Sequence, residues 1–491
     1  MILDKLYNEW FTNPNWWFNN TDIDEYLKST YYHLLKEVLK PSCKKEYIGM
    51  ILLYDQLVRH FFRGNDEIIL PYIDLAIHYS KYVINTYDDL QTDEFCFVFL
   101  PFRHSNKLDN IQYVAKETIK RLEYDNDPLL RQFFKATFQR YKFDSNLINL
   151  HEVSKEYKWN IENFYDILEY APDVLNKYGN HDETLINAIE CLSLSDKYII
   201  SLSGGVDSMV CAYILKFLGY NFVAVHINYC NRSNLEETFV RTWCQNMDIP
   251  LYVRRITEIQ REQCMQFGFR ELYETYTKNV RYNCYKSVGG EYVNVILGHN
   301  KDDCLENILT NVCNNTKYEN LLGMNKNSMI DGIHFIRTFL NIDKDSIYKF
   351  ARNVGIPYLH DSTPSWSQRG KIRDNIRPVL YDWNPLLVTN LFTLSQVLTD
   401  SNKIIDEVVN GYIKSTENNT LAIDIKLYYV TTVVFWEKYF RRMYPNYPIS
   451  GKSLLNYIDK LKIGKSCRVI LSKNISCTIS YYTVSFHIGI M

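Results

Sequence analysis

Along the first 125 residues apolar side chains return every three or four positions, as in "DEYLKSTYYHLLKEVL" and "LDNIQYVAKETIKRL", and no alternating run interrupts them. That rhythm predicts helices with one buried face. Between 126 and 185 it weakens into an Asn-, Asp- and Tyr-rich stretch, read as a helical connector. This stretch ends in "DETLINAIECL", an amphipathic helix with acidic residues in its first turn. From about 190 the pattern changes. Short apolar runs, "YIISL", "FVAVHI", "PLYVRRI" and "VNVILG", alternate with helical stretches at 207–218, 235–247, 272–287 and 302–312. Strands separated by helices of that length predict a parallel sheet covered on both faces. After "WNP" the pattern is helical again at 386–411 and 431–443. It closes on "SCRVILSK" and "CTISYYTVSFHIGI", which alternate as strands do. The expected fold class is therefore multidomain. It has an α-helical domain (1–125), the connector (126–185), an α/β parallel-sheet domain (186–385) and a small α+β region (386–491).

Composition narrows the function. A chain of 491 residues implies several domains. A net charge of −2 excludes a nucleic-acid binder that is basic all over, so any such contact needs a local basic face. The twelve cysteines are scattered with no C-x-x-C, which removes zinc ribbons and thioredoxin-type pairs. There is no basic-plus-apolar leader and no apolar run of roughly 18 residues. The expectation is a cytoplasmic protein with reduced thiols and no membrane contact.

The chemistry centres on "SLSGGVDS", at the end of the first strand of the α/β segment and the start of its helix. Gly204 and Gly205 let backbone N–H groups approach a ligand without Cβ interference. Ser203 and Ser208 add hydroxyls. The helix start carries about half a positive charge, worth up to ~2 kcal/mol to a partly buried anion. The turn suits a phosphate. A Walker A loop is excluded because its lysine is missing, and the G-x-G-x-x-G fingerprint is absent.

Ser203-Gly204-Gly205-Val206-Asp207-Ser208 resembles the pyrophosphate loop (PP-loop) of the N-type ATP pyrophosphatases, which split ATP into AMP and pyrophosphate. Further blocks, "VHINYCNR", "RELYETYTKNVRYNCY", "ILGHNKDDCLENILTNV", "LLGM" and "GIPYLHDSTPSWSQRGKIRDNIRPVL", follow in the order of the tRNA(Ile)-lysidine synthetase family. The resemblance spans about 190–385 and, more loosely, 430–491. Asn228, Tyr229 and Asp374 depart from the family's usual Asp, His and Asn.

The resemblance implies a ligase that uses ATP and Mg²⁺. It would adenylate C2 of the wobble cytidine of a CAU-anticodon tRNA(Ile), and free L-lysine would then displace AMP. ATP would be bound by the loop with His226 and His299, and Asp207, Arg281 and Asp302 would serve catalysis. Asp303 and Glu306, three apart and so on one helix face, would bind lysine together with Arg373. The tRNA would meet Arg254, Arg255, Lys371 and Arg377 through its phosphates, with Trp366 and Tyr285 as stacking platforms. Family enzymes are often homodimers. No metal-ligand cluster is evident. Two rival readings stay open: tRNA thiolation through Cys304, and a nucleotide fold that has lost catalysis.

The N-terminal segment resembles a bacterial helical family of uncharacterised function, related to tetratricopeptide-like folds. The likeness rests on Leu53-Tyr54-Asp55-Gln56, Arg59, Phe62-Arg63-Gly64, Pro101-Phe102 and His104-Ser105. Asp55, Gln56, Arg59, Arg63 and His104 in apolar helices point to a buried hydrogen-bonded network or a pocket.

Overall fold

The computed structural model describes residues 2–17, 21–140, 147–150, 164, 167–170, 183–230, 234–290, 293–313, 323–361, 367–424, 426–481 and 483–489. It divides into two compact units, Met1–Asn300 with Lys326–Asp361, and Lys301–Asn325 with Ser362–Met491.

The first unit opens with helices α1 (Ile2–Thr12), α2 (Asp24–Tyr31), α3 (Lys44–Leu52), α4 (Val58–Phe61), α5 (Asp66–Thr86), α6 (Thr92–His104), α7 (Leu108–Leu122) and α8 (Pro128–Arg140). Helix α6 is buried at every position from Glu94 to Arg103, as a helix must be when apolar groups surround it. Between α3 and α4 the chain widens into one π-turn, Leu53–Leu57.

The sheet strands are β1 (Ile148–Asn149), β3 (Lys197–Ser201), β4 (Asn221–Asn228), β5 (Leu251–Arg255), β6 (Val293–Leu297), β7 (Asn327–Ile330) and β8 (Ile333–Arg337), in the order β1-β5-β4-β3-β6-β8-β7. The five central strands are parallel, as expected; both edges are antiparallel. Strands β2 (Leu168–Tyr170) and β9 (Tyr358–Leu359) form a separate pair. The connections run through α9 (Glu183–Glu190, before β3), α10 (Val206–Phe217), α11 (Leu235–Asn246), α12 (Arg261–Gln266), α13 (Arg270–Gly289) and α15 (Lys344–Val354). Residues 126–185, expected as a helical connector, include α8 and strands β1 and β2; most of the others lie outside the described residues.

Strand alternation feeds two cores. Tyr198 and Ile200 point to the layer of α9, α10, α11 and α15. Ile199, Val225 and Ile227 point the other way, to α13 and onward into the N-terminal helices. There Phe134 and Phe138 of α8 meet Phe269 and Tyr276, with ring centroids 4.8 and 5.0 Å apart. The helical region therefore shares one apolar core with one face of the sheet.

The second unit contains α14 (Lys301–Cys313), α16 (Gln368–Lys371), a second π-turn (Ile372–Ile376), α17 (Arg377–Trp383), α18 (Leu387–Lys414), α19 (Val433–Met443) and α20 (Gly451–Ile463). Strands β10 (Thr420–Ala422), β11 (Cys467–Ser472), β12 (Ile475–Ser480) and β13 (Thr483–Ile488) form an antiparallel sheet ordered β10-β13-β12-β11. Its core is built on Trp436, Tyr439, Tyr457 and Phe486.

Candidate active site

The strand order reverses at β3, whose neighbours are β4 and β6; ligands of open parallel sheets bind at such a switch point. The Ser203–Ser208 turn leaves β3 there. Gly204 has φ +88°, a left-handed conformation, and a Cβ on it would lie 2.7 Å from Leu359. Both facts require glycine. Gly205 is the N-cap of α10, and a Cβ there would meet only Ser203 Oγ, at 3.5 Å. That leaves room for a ligand beside the first amides of α10. Within the turn, the Gly205 N–H donates to Ser203 Oγ (3.3 Å), Ser203 and Ser208 hydroxyls lie 3.1 Å apart, and Ser208 donates to the Gly205 carbonyl (2.9 Å). Val206 packs into the core below.

Asp207 is fixed from two directions. Asn300 Nδ2 donates to its Oδ1 at 2.9 Å, and Lys344 Nζ bonds its Oδ2. Lys344 starts α15 and had no signal in the sequence pattern. Gly298 explains the other approach: a Cβ there would lie 2.9 Å from the Asp207 carbonyl carbon and 3.0 Å from Ser208 N. The Gly298-His299-Asn300 stretch thus packs directly on the start of α10, with His299 half-buried beside it.

His226, near the end of β4, is 3% exposed, and its Nδ1 lies 2.9 Å from the Leu202 carbonyl. A carbonyl only accepts, so Nδ1 carries the proton and Nε2 presents a lone pair. That Nε2 is buried and has no partner among the described residues. Burial holds the ring's pKa below its usual value and so favours the neutral form. Arg281 on α13 lies near the Tyr229 side chain and 5.9 Å from the Tyr282 ring centre. One turn on, Tyr285 donates to Ser201 Oγ at 2.7 Å, so α13 reaches the carboxyl end of β3.

In the second unit the carboxylates of α14 meet arginines, though not as expected. Asp303 and Glu306 both pair with Arg369, at 3.2 Å each, and Asp302 bonds Arg377. Arg373, expected with Asp303 and Glu306, donates to Asp374 at 2.9 Å. The π-turn Ile372–Ile376 follows directly on α16, so Arg373 does not follow Arg369 at the regular 3.6-residue pitch. Arg369 is thus a residue that sequence reasoning missed. Cys304 is 5% exposed, and a Cβ on Gly323 would lie 2.8 Å from its Sγ.

The expected tRNA contacts divide. Arg254 is 2% exposed and pairs at 2.6 Å with Glu258, which also accepts from Tyr276 at 2.7 Å. It is a core ion pair, not a surface cation. Arg255 makes a two-pronged bond to Glu237, at 2.7 and 2.6 Å. Lys371 is exposed, and Arg377 is half-buried against Tyr381. Tyr285 is fully buried and offers no stacking face. Trp366 lies outside the described residues.

Among the described residues no three His, Cys, Asp or Glu side chains stand together as metal ligands, and Asp207 is already bonded to Lys344 and Asn300. The donors do not fit a resident, protein-held Mg²⁺. They fit an anion, because amides, hydroxyls and a helix start converge at the loop.

Comparison with known proteins agrees with this geometry. Residues 180–380 match the family described as PP-loop domain, and residues 6–181 match a bacterial protein family of unknown function, DUF924. The tRNA(Ile)-lysidine synthase of Bacteroides thetaiotaomicron is 30% identical over 226 residues, covering 43% of this chain and 50% of that protein. That of Chlamydia muridarum is 30% identical over 208 residues, covering 41% of this chain and 63% of that protein. The chain thus spans about half to three-fifths of these relatives. Among solved structures, the U34-tRNA thiolase NcsA of Methanococcus maripaludis aligns with 18% identity and a TM-score of 0.36, covering 44% of this chain and 79% of that one. Residues 180–380 are thus similar to the PP-loop domain family, with tRNA(Ile)-lysidine synthases among the chain's sequence relatives, and the helical region before them matches the DUF924 family.

Proposed function

We propose that this chain is an ATP-dependent tRNA-modifying ligase that makes lysidine at the wobble cytidine of a CAU-anticodon isoleucine tRNA. The observation that carries this reading is the glycine-lined loop at the switch point, opening on the start of α10 with Asp207 fixed beside it. In the first step the C2 carbonyl oxygen attacks the α-phosphate of ATP. The bond to the β-phosphate's bridging oxygen breaks and pyrophosphate leaves. The amides of α10 and the rotatable hydroxyls of Ser203 and Ser208 hold the departing pyrophosphate. Arg281 supports α-phosphate oxygens, and His226 Nε2 accepts a hydrogen bond from the nucleotide. ATP enters as its Mg²⁺ complex, the ion carried chiefly by phosphate oxygens. In the second step the lysine ε-amine attacks C2, the C2–O bond breaks, AMP leaves and the amine loses a proton. Asp303 and Glu306 bind the amino groups of lysine in competition with Arg369, and Arg373 meets its carboxylate. Lys371 and Arg377 approach tRNA phosphates. A sulfur-transfer reading has weaker support, because the Cys304 thiol is buried beneath Gly323.

The test is transfer of radiolabelled lysine, with Mg²⁺ and ATP, onto a CAU-anticodon tRNA(Ile) transcript, scored beside AMP release. Label that disappears when the wobble C is changed to U is the expected result. AMP release without lysine transfer would replace this reading with another nucleophile, and neither signal would end it. Asp303→Ala is expected to abolish lysine transfer while ATP still binds; equal loss of both would sink the assignment of the lysine site.

A further inference from the structure

The α-helical region holds a cavity of about 700 Å³ that the proposed reaction does not use. Its volume falls within the range of small-molecule sites. Three observations converge there. The first is charge. Arg59, Arg63, Arg103 and Lys135 line the cavity against one lining carboxylate, Asp66. Behind the wall, Asp55 lies 3.6 Å from Arg59 Nε, and Asp24 takes Arg63 at 2.9 Å. The second is shape. Trp17, Phe97 and Phe133 give one part of the wall an aromatic surface, and the Arg103 guanidinium is held 5.0 Å from the Phe133 ring centre.

The third is a built polar group. Asp55 is fully buried and accepts from His104 Nδ1 at 2.7 Å, and Gln56 bonds its other oxygen. His104 lines the cavity, and with Nδ1–H committed to a carboxylate its Nε2 is an acceptor. Asp55 and Gln56 sit on the π-turn Leu53–Leu57, a distortion frequent at functional sites. A helix kept irregular there, around a buried acid and histidine, is hard to explain by packing alone.

We infer that this cavity is a second ligand site, for a small organic anion with a planar apolar body and a phosphate or carboxylate group. The arginines take the anionic group, because a guanidinium fork matches both kinds of oxyanion. The aromatic wall takes the apolar body, and His104 accepts from a hydroxyl or N–H on the ligand.

The test is calorimetric titration of the full-length chain with phenyl phosphate, benzoate and benzyl alcohol. Saturable one-site binding of phenyl phosphate or benzoate with a Kd below about 1 mM is expected, at least tenfold tighter than benzyl alcohol. The tighter of the two anions identifies the group preferred. Arg59→Gln is expected to weaken binding at least tenfold, and Asp303→Ala to leave it unchanged. Because Arg59→Gln disturbs a buried acid, Ala136→Trp, which fills the half-exposed α8 wall, and Lys135→Glu on the exposed rim provide independent checks. No saturable binding of either anion up to about 10 mM, or binding that survives both Ala136→Trp and Lys135→Glu, overturns the inference.

Discussion

Asp207 shows what a single residue in this protein owes to remote ones. Its carboxylate, at the start of α10, is held by Asn300 and by Lys344, 137 positions away. Lys344→Met removes the cation and leaves a partly buried carboxylate short of a partner. The expected outcome is a fall in kcat/KM for AMP release of about 10- to 100-fold, or roughly 1.4–2.7 kcal/mol, with a small change in melting temperature. Unchanged AMP release would show that Lys344 is only a structural counter-ion. The loop itself was legible because its six chemical residues are consecutive. Lys344 and Arg369 were not, since no local pattern marks a cation whose partner lies on another element. His104 supports a prediction in pH. Burial lowers its pKa to about 4, against its pairing with Asp55. Between pH ~6.5 and 4 the unfolded chain therefore binds a proton that the folded chain refuses, so stability is present above that window and falls as pH drops through it. The slope is at most about 1.4 kcal/mol per pH unit for this group. His104→Gln keeps an amide donor for Asp55 but cannot titrate. Its denaturation midpoint should decline less steeply than the parent's across that window, and parallel curves would refute the assignment.

At the scale of elements, the alternation of short apolar runs with helices predicted strands β3 to β6 and helices α10, α11, α13 and α14, and the structure has them within a residue or two; the central strand β8 and helices α12 and α15 were not among them. Periodicity reports which face of an element is apolar and not what covers it. Hence the antiparallel edges were not foreseen, neither β1, fixed by pairing with the distant β5, nor β7, joined to β8 by the two-residue Asp331-Gly332 turn, nor was the grouping of α14 with the C-terminal unit. The close approach of two elements is set by a single glycine. Gly298, after β6, touches the backbone of Asp207 and Ser208 where any Cβ would overlap it. Gly298→Val is expected to push that connection off the start of α10, raising KM for ATP at least tenfold while the far-UV circular dichroism stays near the parent's. A normal KM for ATP would show that the loop tolerates the displacement and that its geometry is set by β3 and α10 alone.

At the scale of the whole molecule, the expected boundary at residue 125 divides two rhythms of sequence but no two cores. Ile199, Val225 and Val295 of the sheet, Phe269, Tyr273 and Tyr276 of the α12–α13 segment, and Phe133, Phe134 and Phe138 of α8 belong to one apolar cluster that continues into α6 and α7. Polar contacts reinforce the seam: Arg131 Nη2 donates to the Phe267 carbonyl at 2.5 Å, and its guanidinium lies 4.7 Å from the Phe269 ring. Full burial of a large apolar side chain contributes about 1.5–3 kcal/mol, so uncovering even three along this seam costs a large part of a typical domain's stability. The helical region is thus a wall of the parallel-sheet fold as well as the holder of its own cavity. A chain starting at residue 147 should expose the apolar side of α13. The expected result is aggregation, or a soluble form that binds a hydrophobic dye and melts at least 10 °C below the full chain, with AMP release lost in proportion. A monomeric 147–491 fragment with full activity and an unchanged melting temperature would instead make the helices a separable module, leaving the α13 face stable when bare.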